Sequence, residues 1–494
     1  MKTIIKLFFF LCLTSHLRAQ TQIGGKTKPG DSLVLVIHGP FYYPGVPERG
    51  ASHSLTTTAD QRGQFHFKLP AVNSPFHYSL FLTNQRNSKN GLLAGAGTVQ
   101  DYLIEPGDSL YLSFDQAIPS ASGRGRELFN AQYQSNLPAP VDSYGNPPPD
   151  LTNYLRLDPA KWLRQKDAVL TEQLDLLKGW QNQLSPLAYR IVRADLIGAN
   201  RGKLYLSIGS TKPFIAEGVR LPPALEAIYQ ELTQRPVLVD PGDPAALSPK
   251  YTDYLYKKLV VEVKHSQIGQ PADQNYFAMI NSTYTGTLRD KLLVRWLIQM
   301  TSDNFLQGEY LSSALGVIQN PALKLLAQQL NATHEKGSPV IDFDFKDAAG
   351  KSRHLSELKG KVLFIDLWFS GCGGCISVAE GLPNVEAVFK GRTDIAFVSI
   401  SIDKQKALWL NSIQPHPKKQ NYTHYTTATT HYWYTGGSGA SNPFIKAYVP
   451  EGNYPAMLIL DKNGLVFSAS PSRPVDPAGQ HKLVEELQAA IAAP

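Results

Sequence analysis

Three cysteines occur in 494 residues, and two of them stand as Cys372-Gly-Gly-Cys375. The third, Cys12, lies in an opening that reads as a secretory signal. Lys2 and Lys6 form its basic end, and Ile4 to Leu13 form an apolar stretch too short to span a bilayer. Leu17-Arg18-Ala19 before Gln20 is the expected cleavage site, so residues 1–19 are expected to leave. Phe9-Phe10-Leu11 before Cys12 lacks the small residue that a lipid-anchor signal requires. The mature chain then keeps one cysteine pair. A disulfide framework in an exported protein uses several pairs spread along the chain. A two-residue loop restricts the unfolded chain little, because that effect grows with loop length. The spacing suits reaction better than stapling.

The residues around the pair point the same way. Val362 to Trp368 is an apolar run broken only by Asp366, and it reads as a buried strand. A helix is expected from Cys375 to Lys390, with its first turn near Cys372. Free backbone N–H groups and the helix dipole favour a thiolate there, which makes Cys372 the attacking sulfur. Cys375, one turn on, is placed to resolve a mixed disulfide. A zinc site would need two more ligands. No further cysteine remains, and His416, His424 and His431 fall in a loop-like stretch, so no metal or other cofactor is expected.

Composition excludes other classes. Hydrophobic residues make 43% and charged residues 18% of the chain, an ordinary globular balance. The net charge is +7, and losing Lys2, Lys6 and Arg18 leaves 45 bases against 41 acids, or +4. That gives no nucleic-acid or anionic-membrane surface. No glycine-rich phosphate loop appears, and His38-Gly39 after a strand has no Gly-x-Ser-x-Gly to accompany it.

Periodicity divides the chain. Residues 20–120 carry short strand patterns such as Leu33–Ile37, Gln64–Leu69, Tyr102–Ile104 and Leu110–Leu112, with a turn at Glu105-Pro-Gly-Asp108. They are expected to form an antiparallel β-sandwich. Residues 121–150 read as linker, with Asn146-Pro-Pro-Pro-Asp150 the clearest part. Helical periodicity runs from about 151 to 335, with helices expected over 158–177, 186–206, 222–234, 249–265, 288–301 and 321–331, so 121–335 is taken as a mainly helical domain. Residues 336–494 alternate strands and helices: 342–345, 362–368, 395–402, 455–460 and 465–467 as strands, 404–413 and 481–491 as helices. That is a three-layer α/β arrangement. Tyr422, Tyr425, Tyr432, Trp433 and Tyr434 lie in a long stretch over 414–442, read as packing against the helical region or as a substrate-contact loop.

Residues 336–494 resemble a thioredoxin-fold domain, closest to the TlpA/ResA-like extracytoplasmic thiol–disulfide oxidoreductases. The likeness rests on four features together. A strand ends in Asp366-Leu-Trp368, and a Cys-x-x-Cys opens a helix. A second strand follows as Phe397-Val-Ser-Ile-Ser-Ile-Asp403. Tyr454-Pro455 comes eighty residues after Cys375 and precedes Leu-Ile-Leu-Asp-Lys-Asn-Gly464. The 20–120 region is also similar to β-domains that precede such domains in exported proteins of Bacteroidetes. The resemblance implies a cis-proline at Pro455, with Tyr454 offering backbone to a substrate. It implies a proton-shuttling carboxylate at Asp366, with Glu380 the rival, and Trp368 near the substrate and dithiol. It implies protein disulfide substrates in the periplasm or another envelope compartment, a membrane electron donor, and reduction as the direction. Two positions depart: Gly371 and Gly374 stand where thioredoxins usually have Trp and Pro. A thiol peroxidase needs a threonine and a proline-lined pocket that Phe369-Ser370-Gly371 does not supply. A binding module with a redox-sensitive dithiol is the non-enzymatic alternative.

Overall fold

The alternating Gln64–Lys68, with Phe65 and Phe67 buried and their neighbours exposed, is one strand of a first compact unit built from described residues within 20–37, 54–136 and 176–188. The structure is a computed structural model. It describes residues 20–39, 53–69, 73–82, 99–114, 119–137, 159–209, 223–235, 243–266, 273–302, 308–414, 430–449, 452 and 454–493. The signal at 1–19, Asn146–Asp150, His416, Tyr422, His424 and Tyr425 lie outside the described residues.

In the first unit β1 (Gln22–Lys26) pairs antiparallel with β4 (Gln64–Lys68) and parallel with β7 (Ser109–Ser113). Strand β8 (Ser120–Arg124) completes that sheet at the far side of β7. A second sheet has β3 (His53–Thr58), β2 (Ser32–Ile37), β5 (Phe76–Leu82) and β6 (Val99–Ile104) in that order. Ile23, Leu35, Phe67, Leu80, Ile104 and Leu112, drawn from both sheets, share one core. Gly25 permits the close approach of β1 and β7, since a Cβ there would lie 1.9 Å from the Leu112 carbonyl oxygen. The expected linker at 121–150 is corrected at its start. Helix α1 (Arg126–Asn136) puts Phe129 into that core. Its Gln132 accepts the Leu103 N–H (2.6 Å) and donates to the Leu103 carbonyl (3.0 Å), which satisfies edge strand β6.

The remaining helices follow, most of their residues in the second unit. They are α2 (Pro159–Lys178), α3 (Pro186–Gly209), α4 (Pro223–Thr233), α5 (Asp243–Ala246), α6 (Pro249–Ser266), α7 (Asp273–Thr283), α8 (Gly286–Ser302), α9 (Gly308–Val317) and α10 (Pro321–His334). Proline opens α2, α3, α4, α6 and α10, where its missing N–H has no helical partner to lose. Leu163, Leu204, Ile208, Ile228 and Val261 pack α2, α3, α4 and α6 together. No helix of the described residues is long and apolar enough to cross a membrane.

From Phe345 onward the period changes and a seven-stranded sheet forms. Its strands are β9 (Phe345–Lys346), β10 (Ser352–Arg353), β11 (Val362–Trp368), β12 (Ile395–Ser401), β13 (His431–Tyr434), β14 (Ala456–Leu460) and β15 (Val466–Ser468), ordered β10-β9-β13-β12-β11-β14-β15. Strand β11 runs parallel to β12 and antiparallel to β14. Both faces are covered, so β11 and β12 are buried throughout. On one face, α11 (Gly373–Val388) and α14 (Pro477–Ala492) bring Val378, Leu382, Val385, Leu483 and Leu487 against Val362, Phe364 and Phe397. On the other, α13 (Pro443–Tyr448) brings Phe444, Ile445 and Tyr448 against Leu363, Ile365 and Leu367. Helix α12 (Lys406–Ile413) follows β12.

Two expectations change here. The strand read at 342–345 is reduced to Phe345–Lys346. Tyr432, Trp433 and Tyr434 are not a layer against the helices but strand β13, registered on Ser399, Ile400 and Ser401, and His431 begins that strand instead of lying in a loop.

Candidate active site

A parallel strand pair carries its binding crevice at the carboxyl ends of the strands. Strand β11 ends there at Trp368, a four-residue turn follows, and α11 starts at Gly373. Cys372 is the N-cap of α11. Its Sγ accepts the backbone N–H of Cys375 at 3.1 Å. The two sulfurs are bonded as a disulfide, with Cα atoms 5.2 Å apart. Cys372 retains 6% exposure and Cys375 none, so attack from solvent reaches Cys372.

The turn is shaped by glycine. Gly371 has φ +92°, the left-handed region, and a Cβ there would meet nothing within 4 Å. Gly371→Ala therefore tests backbone strain alone. It is expected to destabilise the protein by about 1–2 kcal/mol, read from the denaturant midpoint. A variant as stable as the parent would show that the turn relaxes freely. Gly374 has a different reason. A Cβ there would lie 3.1 Å from Cδ of Pro455, which presses directly on the first turn of α11. The Tyr454–Pro455 peptide bond is cis, as the resemblance implies.

Around the disulfide lie Trp368, Ala379, Trp409 and Tyr434, with Ile376 and Tyr454 at the margin. Trp368 is fully buried (0% exposed) and donates its indole N–H to the Ser399 hydroxyl at 2.6 Å. Expected near substrate, it instead forms part of the floor beneath the dithiol, because β11 is covered on both faces. Trp409 stacks on Tyr434 at 4.6 Å between centroids.

Asp366 follows from strand alternation. Phe364 and Trp368 face the α11 side, and Leu363, Ile365 and Leu367 face the other. Asp366 thus lies on the α11 face, between the packing layer and the dithiol cluster. It is buried, and its Oδ1 has no hydrogen-bond partner among the described residues. Burial pushes its carboxyl up to about 7. Glu380 is exposed on α11, about 140° around the helix from Cys375. The sequence could not settle which carboxylate lies inside. The alternation along β11 places Asp366 there.

Three features had no sequence signal. Phe369 is 37% exposed and meets Tyr454 edge to face at 5.6 Å, forming an aromatic rim beside the disulfide. The exposed Arg473 donates to the Pro455 carbonyl at 3.5 Å. Asp403, at the end of β12, holds the turn. It accepts the Ser370 backbone N–H (3.2 Å) and the Ser370 hydroxyl (2.6 Å).

Fold and site together define a thioredoxin-like thiol–disulfide oxidoreductase domain. The dithiol opens a helix after a parallel strand, the cis-proline abuts it, and a buried carboxylate lies on the same face. The domain stands within a multidomain chain.

Solved structures similar to this chain cover about a third of it. A candidate thiol-disulfide oxidoreductase from Bacteroides vulgatus is 30% identical over 32% of this chain and 93% of its own, with a TM-score of 0.25. A second structure so described from the same organism is 25% identical over 30% and 95%, also at 0.25. A thiol-disulfide oxidoreductase from Bacteroides fragilis is 18% identical over 30% and 98%, at 0.24. No protein-family model and no curated protein matches the chain.

Proposed function

We propose that the protein is exported and exchanges disulfides with proteins of the cell envelope, acting as a reductase. The observation that carries the reading is the Cys372–Cys375 disulfide at the N-cap of α11, beside the cis Tyr454–Pro455 bond. In the reduced enzyme the Cys372 thiolate attacks one sulfur of a substrate disulfide. That S–S bond breaks, the leaving sulfur takes a proton, and a mixed disulfide forms on Cys372. Cys375 gives its proton to Asp366 and attacks Cys372 Sγ. The second substrate sulfur leaves and is protonated. Two electrons have passed to the substrate, and the enzyme holds the disulfide described above. A dithiol donor, a membrane protein in this reading, returns it to the reduced form.

Tyr454 and Pro455 present backbone to the substrate, and Phe369 supplies an apolar edge. Glu380 is left without a role in this scheme. In this reading the chain is cleaved after residue 19, a β-unit running to the end of α1 at Asn136 precedes the helical region, and the thioredoxin-like domain of 336–494 carries the chemistry in the periplasm.

The test is a redox titration of the chain without residues 1–19, following both thiols by labelling in glutathione buffers. One reversible two-electron transition is expected, with faster reduction of a test disulfide protein. A pair that stays oxidised in strong reductant without denaturation would instead mark a binding module.

A further inference from the structure

Asp403 stands outside the dithiol cluster, yet more hydrogen bonds converge on it than on any cysteine. Its Oδ2 accepts the hydroxyls of Ser370 (2.6 Å) and Ser401 (2.8 Å), and the Ser370 N–H reaches Oδ1 (3.2 Å) and Oδ2 (3.3 Å). Its own N–H donates to the Ser401 hydroxyl at 3.0 Å, which locks the carboxylate to the end of β12. Ser412 of α12 lies 2.7 Å from the Ser370 hydroxyl. With Ser370 donating to Asp403, a hydrogen bond between the two hydroxyls runs from Ser412, whose hydroxyl also lies 3.2 Å from the Leu408 carbonyl. One buried carboxylate thus ties together β12, α12 and the turn before Cys372.

That turn is short of other anchors. Gly371 adds no side chain, and the backbone bond from Cys372 N–H to the Phe369 carbonyl is 3.2 Å. Ser370 is its only polar side chain, two residues before the attacking sulfur.

We propose that Asp403 is a positioning residue. Acting through Ser370, it clamps the turn so that Cys372 Sγ stays at the N-cap of α11 when the disulfide is opened. Held there, the sulfur keeps the Cys375 N–H and the helix dipole that favour a thiolate. Released, it loses them. The inference rests on the proposed role of Cys372.

The rate of Cys372 alkylation against pH tests it in the reduced full chain, for the parent, Ser370→Ala, Ser370→Thr and Asp403→Asn. The other titratable or charged groups at the cluster are Cys375 from α11, Asp366 from β11, Tyr434 from β13, Tyr454 beside Pro455, and Arg473 on the Pro455 carbonyl; all are retained. Ser370→Ala and Asp403→Asn are expected to react about threefold or more slowly at pH 7 and to recover at alkaline pH, an alkaline displacement of the profile. Ser370→Thr restores the hydroxyl and the parent profile. If Asp403 acts only by its charge, Asp403→Asn shifts the profile to acid and Ser370→Ala leaves it unmoved, which overturns the proposal. A lower melting temperature with an unchanged profile overturns it too. Should Asp403→Asn fail to fold, the Ser370 pair decides. A parent whose Cys372 does not react at any pH defeats the exchange reading itself, which separates the two failures.

Discussion

Cys375→Ser is expected to trap substrate, and Cys372→Ser to abolish exchange. The reason is the unequal setting of the two sulfurs. Cys372 keeps 6% exposure at the helix cap, whereas Cys375 has none. A substrate disulfide therefore meets Cys372 first. With serine at 375, nothing within the protein attacks the resulting mixed disulfide, and it accumulates. Non-reducing electrophoresis would show an adduct whose mass is the sum of both chains and which dithiothreitol releases. With serine at 372, turnover should fall by about a thousandfold or more, because a nucleophile acting as part of a unit leaves little behind when removed. An adduct captured by Cys372→Ser, and none by Cys375→Ser, would reverse the two roles. Both variants retaining parent rates would remove the dithiol from the chemistry altogether.

The parts of this site that can be read in the sequence are those with a local signature. Strand β11 is one: an apolar run from Val362 to Trp368, covered on both faces, has no other use. Pro455 is another, since its place before an apolar strand is visible without coordinates. Asp366 is legible only in part. Its type and spacing suggest a partner to the dithiol, but choosing it over Glu380 needs the register of α11 and the alternation of β11. The clamp on the turn could not be read, because Ser370 and Asp403 are 33 residues apart and joined only by the parallel pairing of β11 and β12. Strand β13 was hidden for a related reason. His431–Tyr434 is four residues long, and its aromatic composition suits either a strand or a packing loop. At the other end of the chain, Ser120–Arg124 looks like linker by composition yet pairs with β7. Its glycine is used rather than tolerated: Gly123 has φ +85° and a Cβ there would lie 2.2 Å from the Ser109 carbonyl oxygen. Helices α7 and α9 went unread because each is short, at 11 and 10 residues.

Asp366→Asn is expected to make the protein more stable and less active at once. A carboxyl raised to about 7 by burial alone stabilises nothing when ionised. The unfolded chain releases this proton near pH 3.9, so between about pH 4 and pH 7 the native state holds a proton that the unfolded state does not. Stability therefore falls as pH rises through that window. Above pH 7 the full penalty, about 4 kcal/mol, is present. Asparagine cannot ionise. Its stability in urea should change little between pH 5 and pH 8, while that of the parent declines. At pH 8 the variant should exceed the parent by somewhat less than the full penalty, because a buried amide still lacks a partner where Oδ1 has none. At pH 5 the two should be close. Exchange should move in the opposite direction. If Asp366 takes the proton from Cys375 during resolution, losing it slows that step by about a hundredfold or more, in the range for a positioned acid or base. The mixed disulfide should then persist, though less than in Cys375→Ser, and higher pH should shorten its life as Cys375 ionises without help. Parallel pH–stability curves for variant and parent would mean that Asp366 is not the buried acid this geometry requires. A flattened curve with undiminished exchange would leave it a buried acid with no part in the transfer.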